Sequence, residues 1–520
     1  VEAQPPGILA YTPKHPDVPG AIRCLGYYPK NVQWTKKVKT PDDLLGPVDV
    51  SFKIYITRHY QHIGTYGFAK SNLQSELNAL ARIDVPPLAG PVNAEAWAYA
   101  VYAVKQELSP HFGRYGVTPL RECGFASSAS GPIGKVVGIK DRVKFLSMFT
   151  HDEAQFWKFA EENCHFGSST KEEPLPLDKI IQMLLRLFNP VDPVLEALCK
   201  MCFAKMDEGI FKSGGTTFFA TGFVKQYGGY HELMDWLMRI GDERVIREGD
   251  VSKYDSHFWV WIRMVCMEIR LLCLSDGVPF YVRVKIIWIY GMLTNNATIV
   301  TMCGQILSAP FWMKSGDYLT AKDNSIGHML IIFYVIYRCG MRYNPAEMRL
   351  KVMADDHIHS LLPHVAQKWT LKRSVKYYKE LGHDLKAPPE SWDSGTVEGH
   401  SFLGGTAIWR RGKWIGKPNA EKLIASFIHR PKRQGLIHRY TRLRSLAIES
   451  FPDANLYRVF HKLLVEYKQY LQFALDKPVV TLADLGVHDP SDVLPVLPTE
   501  VDLWKFYLGE ESTTRPFSRS

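Results

Sequence analysis

Between Ile326 and Tyr337 the chain reads IGHMLIIFYVIY, apolar on nearly every face of a 3.6-residue helix. A helix of that kind has to be surrounded by protein on all sides. It therefore asks for a body large enough to enclose it, and 520 residues with 46% hydrophobic and 22% charged content supply one. The most apolar part, Met329 to Tyr337, is soon ended by Arg338, short of the ~20 uninterrupted residues a bilayer-spanning helix needs, so a soluble chain without a transmembrane segment is expected.

On either side of this helix lie two acidic segments. Upstream, ERVIREGDVSKYDSHF begins as a β-branched strand and runs into a helix-like stretch from Trp259 to Leu274, which puts Asp250 at a strand end with Asp255 close behind. Downstream, RLKVMADDHIHSLL alternates about a two-residue turn, the pattern of a β-hairpin with Asp355 and Asp356 at its tip. The polar loop KSGDYLTAKDN, residues 314–324, feeds the buried helix. Taken alone, a pair of aspartates at a turn is more often plain turn chemistry. Carboxylates from separate strands also suit two divalent ions about 3.5–4 Å apart, since Mg²⁺ takes one or two carboxylates together with substrate phosphates.

The order and surroundings of these segments resemble the palm motifs of positive-strand RNA virus RNA-dependent RNA polymerases. GDVSKYD is similar to motif A, SGDYLTAKDN to motif B and MADD to motif C. The resemblance implies an α+β right-hand fold of fingers, palm and thumb, the palm an antiparallel sheet flanked by helices. Fingers are expected over 1–235, with an N-terminal arm, and over 275–310. Palm is expected over 236–274 and 311–415, and thumb over 416–520. It also implies two Mg²⁺ ions held by Asp250, Asp355 and Asp356, with Mn²⁺ as an alternative metal, and incoming ribose read by Asp255, Ser315, Gly316, Thr320 and Asn324. A Ser N-cap followed by a helix explains Ser315 but not Asn324.

Further segments extend the likeness. Residues 169–190, STKEEPLPLDKIIQMLLRLFNP, resemble motif F, with Lys171 and Arg186 as triphosphate ligands and Lys179 a weaker third; a solvated helix face is the plainer account of the same charges. SSASGPIG, with Ser130 and Gly131, resembles the template-side motif G. ELGHDLKAPP fits motif D, making Lys386 the general acid toward pyrophosphate, with Lys379 the competing choice. GHSFLGGTAIW is similar to motif E, and its SFLG form leans to the astrovirus-like and sobemovirus-like branches. Ala354 stands where the family keeps the glycine of GDD, which leaves turnover and the choice of Mg²⁺ or Mn²⁺ open.

Two rivals are weighed against this reading. A reverse transcriptase shares the ADD tip, but it needs a bulky aromatic where Asp255 stands and a PQG phrase that is missing. A catalytically inactive, RNA-binding replication protein would keep the fold without the activity, yet all three metal-site aspartates are present.

A net charge of +10 suits a polyanionic partner, and HRPKRQGLIHRYTRLR offers Arg439, Arg442 and Arg444 to the phosphates of an RNA duplex, or simply a solvated helix face. The partners implied are RNA template and product, ribonucleoside triphosphates, a viral protein primer favoured by the short thumb, and other replication proteins. The expected setting is host cytoplasm, at membrane-associated replication complexes reached through partners. Nine scattered cysteines fit a reducing compartment, and Cys199 and Cys202 read as buried helical thiols rather than zinc ligands. The start VEAQPPG lacks an initiator Met or a signal core, as release from a larger precursor or truncation would leave it. The prolines of the first twenty residues predict an extended arm, 184–206 should be mainly helical, and helices with Leu456, Phe460, Leu463 and Leu464 inward should fill the last hundred residues. His357 and His359 are expected as strand residues. GGTTFFATGF lacks the ending of a P-loop.

Overall fold

The computed structural model describes residues 9–27, 66–68, 71–125, 138–139, 141–211, 218–428, 436–475 and 498–509. Four strands and six helices position the acidic residues. The strands are β1 (Val245–Ser252), β2 (Met348–Met353), β3 (Asp356–Leu361) and β4 (Asp384–Lys386). The helices are α1 (Ala94–Leu108), α2 (Pro193–Phe211), α3 (Val260–Cys273), α4 (Phe280–Leu293), α5 (Thr320–Arg338) and α6 (Leu371–Glu380).

The apolar run lies inside α5, where every residue from Asp323 to Ile336 is buried. Its neighbours are α1, α3, α6 and strand β2. Helix α1 buries Ala96, Ala100 and Ala103, small side chains spaced so that two backbones can approach closely. The first turn of α5 is fixed by charge inside the core. Arg270 of α3 donates to Asp323 at 2.8 Å and to Asp207 of α2 at 2.8 Å, and Tyr290 of α4 donates to Asp323 at 2.9 Å. Arg263 pairs with Asp317 just before the helix. Buried charges of this sort survive only when paired and hydrogen-bonded, so the network ties four helices at one depth.

Strands β1 to β4 form one antiparallel sheet in the order β2-β3-β1-β4. The expected hairpin is present: β2 and β3 are joined by Ala354 and Asp355 alone, with Met353 opposite Asp356. The free edge of β2 is covered by 218–220, since Ala220 N–H donates to Val352 and Val352 N–H to Phe218. Strands Ser401–Phe402, Gly405–Arg410 and Lys413–Pro418 make a separate three-stranded meander. A second four-stranded sheet orders Arg23–Tyr27, Gln305–Ser308, Thr298–Val300 and Phe166–Gly167.

The extended arm is anchored rather than loose over its described part: Tyr11 is buried and its hydroxyl donates to Asp84 at 2.6 Å. Helices Ala420–Ile428, Leu436–Ser450, Ala454–Leu475 and Glu500–Leu508 follow the last strand, with Leu456, Phe460, Leu463 and Leu464 buried as expected. Cys199 and Cys202 are buried in α2, and all nine cysteines are free. The expected helix over 184–206 is present only from Pro193 on. Helix α2 begins at Pro193, capped by Asp192, whose carboxylate accepts from Val194 N–H at 2.9 Å; residues 184–192 are not helical and include the short strand Leu187–Phe188. Among the described residues, no helix is long and apolar enough to cross a membrane.

Candidate active site

Register puts the acidic residues in one row. Asp250 of β1 lies opposite Asp356 on one side and opposite Lys386 on the other. Residues directly opposite in antiparallel strands share a face, with Cβ atoms about 4.5–5.5 Å apart. Asp355 stands next to this row at the hairpin tip. Burial, then the charges of Asp356 and Asp250, push its carboxyl up to about 7. Burial and Asp250 push Asp356 up to about 6, against a hydrogen bond from the Leu403 backbone. Asp355 keeps solvent access at the tip, so mutual repulsion among three carboxylates adds to its partial enclosure.

This donor set fits a hard divalent cation, which would relieve that repulsion. Among the described residues no three His, Cys, Asp or Glu side chains form a ready-made metal cage. A site completed by substrate phosphates and water needs no such cage.

The second part of the site is built on Asp255. Strand β1 is followed by Lys253, which adopts a left-handed conformation with φ of 53°, and then by the 3₁₀ turn Tyr254–His257. There the Asp255 carboxylate accepts from Ser315 Oγ at 2.8 Å and from Asn324 Nδ2 at 2.7 Å. Burial raises its pKa, and those two hydrogen bonds, with Arg186 and Arg263, oppose the rise. The Oδ1 of Asn324 is buried and without a partner, an acceptor held ready beside Asp255. Ser315 is not the cap of α5: that position falls to Leu319, which makes no side-chain cap. Thr320 does not join Asp255 either, because its hydroxyl turns back to the carbonyls of Lys314 and Asp317 at 2.8 and 2.9 Å.

Gly316 makes a close approach. It pairs in parallel fashion with Pro190, and a Cβ added there would lie 2.2 Å from the backbone oxygen of Asn189. Residues 189–190 thus pack directly on the loop before α5. The same segment carries the candidate cations. Lys171 N–H donates to Arg186 C=O at 2.9 Å, and Arg186 grips Glu173 in bidentate fashion at 2.7 and 2.6 Å. Lys171 lies 3.9 Å from the same carboxylate. Glu173 is the first cause that raises the Arg186 pKa, with Asp355 and Asp255 adding to it. Lys179 lies on the short helix Leu177–Ile181.

Lys379, the competing general acid, pairs with Asp384 at 3.2 Å, while Lys386 stands in the row beside Asp250. The turn of the meander reaches the row as well: Leu403, with φ of 53°, supplies the backbone contact to Asp356, and His400 Nδ1 lies 3.2 Å from Glu248. His357 and His359 are buried strand residues. Ser130 and Gly131 lie outside the described residues. Arg442 donates to the Ser426 carbonyl, and Arg444 is partly buried in the same helix. Arg439 belongs to that helix, with its side chain outside the described set. Sequence reading missed Glu173, Leu403, Ser325 and His328; the last two were visible as polar residues at i, i+3 beside and within the apolar run.

Aspartates gathered across a sheet and a hairpin tip, with arginine and lysine near them, make the donor set of a protein that handles phosphate esters through divalent cations. Residues 150–472, more than half of the chain, match the viral RNA-dependent RNA polymerase family, and the chain belongs to that family. Members of the family use divalent metal ions. The genome polyprotein of Tobacco vein mottling virus is 24% identical over 324 residues, covering 59% of this chain and 10% of that polyprotein. Non-structural polyprotein 1AB of Avian nephritis virus 1 is 22% identical over 303 residues, 55% of this chain and 20% of its own length. That of Turkey astrovirus 1 is 23% identical over 268 residues, 49% and 16%. The chain thus spans a fifth or less of these relatives. Two of them are astroviral, in line with the branch expected from SFLG.

Proposed function

We propose that the chain carries out template-directed RNA synthesis from ribonucleoside triphosphates, replicating and transcribing a viral RNA genome. The observation that carries this reading is Asp255 held by Ser315 and Asn324 next to the row of Asp250, Asp355 and Asp356. Two Mg²⁺ ions, or Mn²⁺, held by that row would neutralise the phosphate charge of nucleotidyl transfer. Asp255 and Asn324 Oδ1 offer acceptors to a ribose hydroxyl, Arg186 and Lys171 grip the triphosphate once it displaces Glu173, and Lys386 donates a proton to pyrophosphate.

In this reading fingers comprise 1–235 and 275–310, palm 236–274 and 311–415, and thumb 416–520. The central sheet is then the palm, and the meander supports the primer end. A short thumb leaves room for a duplex and favours a protein primer. Other replication proteins would bring the enzyme to membrane-associated complexes in host cytoplasm.

Incorporation of nucleotides on a primed homopolymer template tests the proposal, with Asp355→Ala as the control. Wild-type synthesis with a variant at background is expected; equal signal from both would overturn it. Asp255→Asn should lower the preference for ribonucleotides over deoxynucleotides about tenfold. An unchanged preference would remove Asp255 from ribose recognition.

A further inference from the structure

The turn that carries Asp355 places an alanine where the backbone favours glycine. Ala354 has a φ of 55°, in the left-handed region that a Cβ makes unfavourable. Both backbone polar groups of Ala354 are taken by a single neighbouring element, α5. Its N–H donates to Ser325 Oγ at 3.0 Å, and its C=O faces His328 Nδ1 at 2.7 Å. Ser325 in turn donates its own hydroxyl hydrogen to Ala321 C=O at 2.6 Å, which leaves an oxygen lone pair for the turn.

A carbonyl only accepts, so His328 Nδ1 carries the hydrogen. Burial pushes the imidazole pKa down to about 4, and the neutral ring then presents Nε2 as an acceptor to the Tyr378 hydroxyl of α6 at 3.1 Å. The Ala354 carbonyl thereby fixes the tautomer, and the Tyr378 hydroxyl at the opposite nitrogen holds the plane of the ring. Ser325 and His328 follow Asn324 on the same helix, so the element that holds Asp255 also holds the hairpin tip.

We propose that Ser325 and His328 are positioning residues for nucleotidyl transfer, clamping the strained Ala354 turn so that Asp355 stays beside Asp250. Two hydrogen bonds from the helix do here what the conformational freedom of a glycine would do without them. The inference rests on the proposed role of Asp355. It differs from a plain core-packing role for the two side chains in that their partner is a turn at positive φ, 26 and 29 residues away in sequence.

The variants Ser325→Ala, His328→Phe and His328→Asn, each with Ala354 or with Ala354→Gly, test it in primed incorporation normalised to active molecules. Mg²⁺ titrations and melting temperatures are read alongside. Ser325→Ala and His328→Phe should lower kcat about tenfold and raise the Mg²⁺ concentration needed for half-maximal rate. His328→Asn, which keeps a donor near the position of Nδ1, should retain most of the rate. Adding Ala354→Gly should restore both the rate and the Mg²⁺ dependence of the two damaged variants.

Double variants as slow as the singles, or a loss confined to the active fraction with Mg²⁺ dependence unchanged, would overturn the clamp. Should His328→Phe not fold, Ser325→Ala with and without Ala354→Gly tests the clamp on its own by the same two outcomes. Asp355→Ala, run in parallel, separates the two levels: activity surviving in it overturns the reading of the site. An inactive Asp355→Ala beside wild-type behaviour of Ser325→Ala and His328→Phe overturns the clamp alone.

Discussion

Gly316 shows how a single missing side chain sets the spacing of the site. A methyl group there would meet the Asn189 oxygen at 2.2 Å and Pro190 Cα at 2.9 Å, both backbone atoms that cannot rotate away. Gly316→Ala is therefore expected to cost about 1–3 kcal/mol of stability. It should also raise the KM for nucleotide, because the segment that yields is the one bearing Arg186. Urea unfolding and steady-state kinetics check the two parts; an unchanged KM would mean that the contact is structural only. The sequence already marked Gly316 as a loop residue, and the family resemblance already tied Asp255 to Asn324, which the structure joins by a hydrogen bond. The sequence did not show that Thr320 faces backward, because helical spacing specifies a face and not which hydrogen bond a hydroxyl on that face chooses.

Among the elements, α5 holds a fully buried charge, Asp323, at its first turn. Arg270→Met would leave Asp323 and Asp207 short of their shared partner, and a destabilisation of about 3–5 kcal/mol is expected by denaturant unfolding. The double change with Asp323→Asn should cost less than the single one, since it removes one of the stranded charges. The burial of α5 was legible because its apolar run leaves no polar face. The non-helical stretch 184–192 was not, although its ends were written in the chain. Met183, with φ of 51°, closes the short helix before it, and the Asp192-Pro193 pair starts the next helix after it. Between them Leu187 and Phe188 pair with Thr170 and Ser169, a contact between distant residues that local apolar spacing does not reveal.

Over the whole molecule, charge and burial act on pH and salt. Glu76 is buried and accepts from Met302 N–H at 3.0 Å across 226 residues of sequence, and burial raises its pKa to about 7 from 4.5. The folded state therefore holds this proton more tightly than the unfolded chain. The stability it contributes is complete below about pH 4.5 and is lost as pH rises through 7. Glu76→Gln should flatten the fall in melting temperature between pH 5 and pH 8; an equal slope would show that other groups set it. The net charge of +10 predicts RNA affinity that weakens with salt, and a triple neutralisation of Arg439, Arg442 and Arg444 should flatten the log–log slope if those residues meet phosphates.

The double register of β1 bears on how a chain of this kind can vary. Asp250 faces Asp356 on one side and Lys386 on the other, and both pairings are antiparallel. A one-residue insertion or deletion within β1 would turn Asp250 to the opposite face of the sheet and break both alignments in the same step. Length changes between Val245 and Asp250 should then be lethal to activity even where single substitutions of the intervening residues are tolerated. The strand behaves as a ruler whose length cannot drift, while the chain around it remains free to lengthen or shorten in its loops.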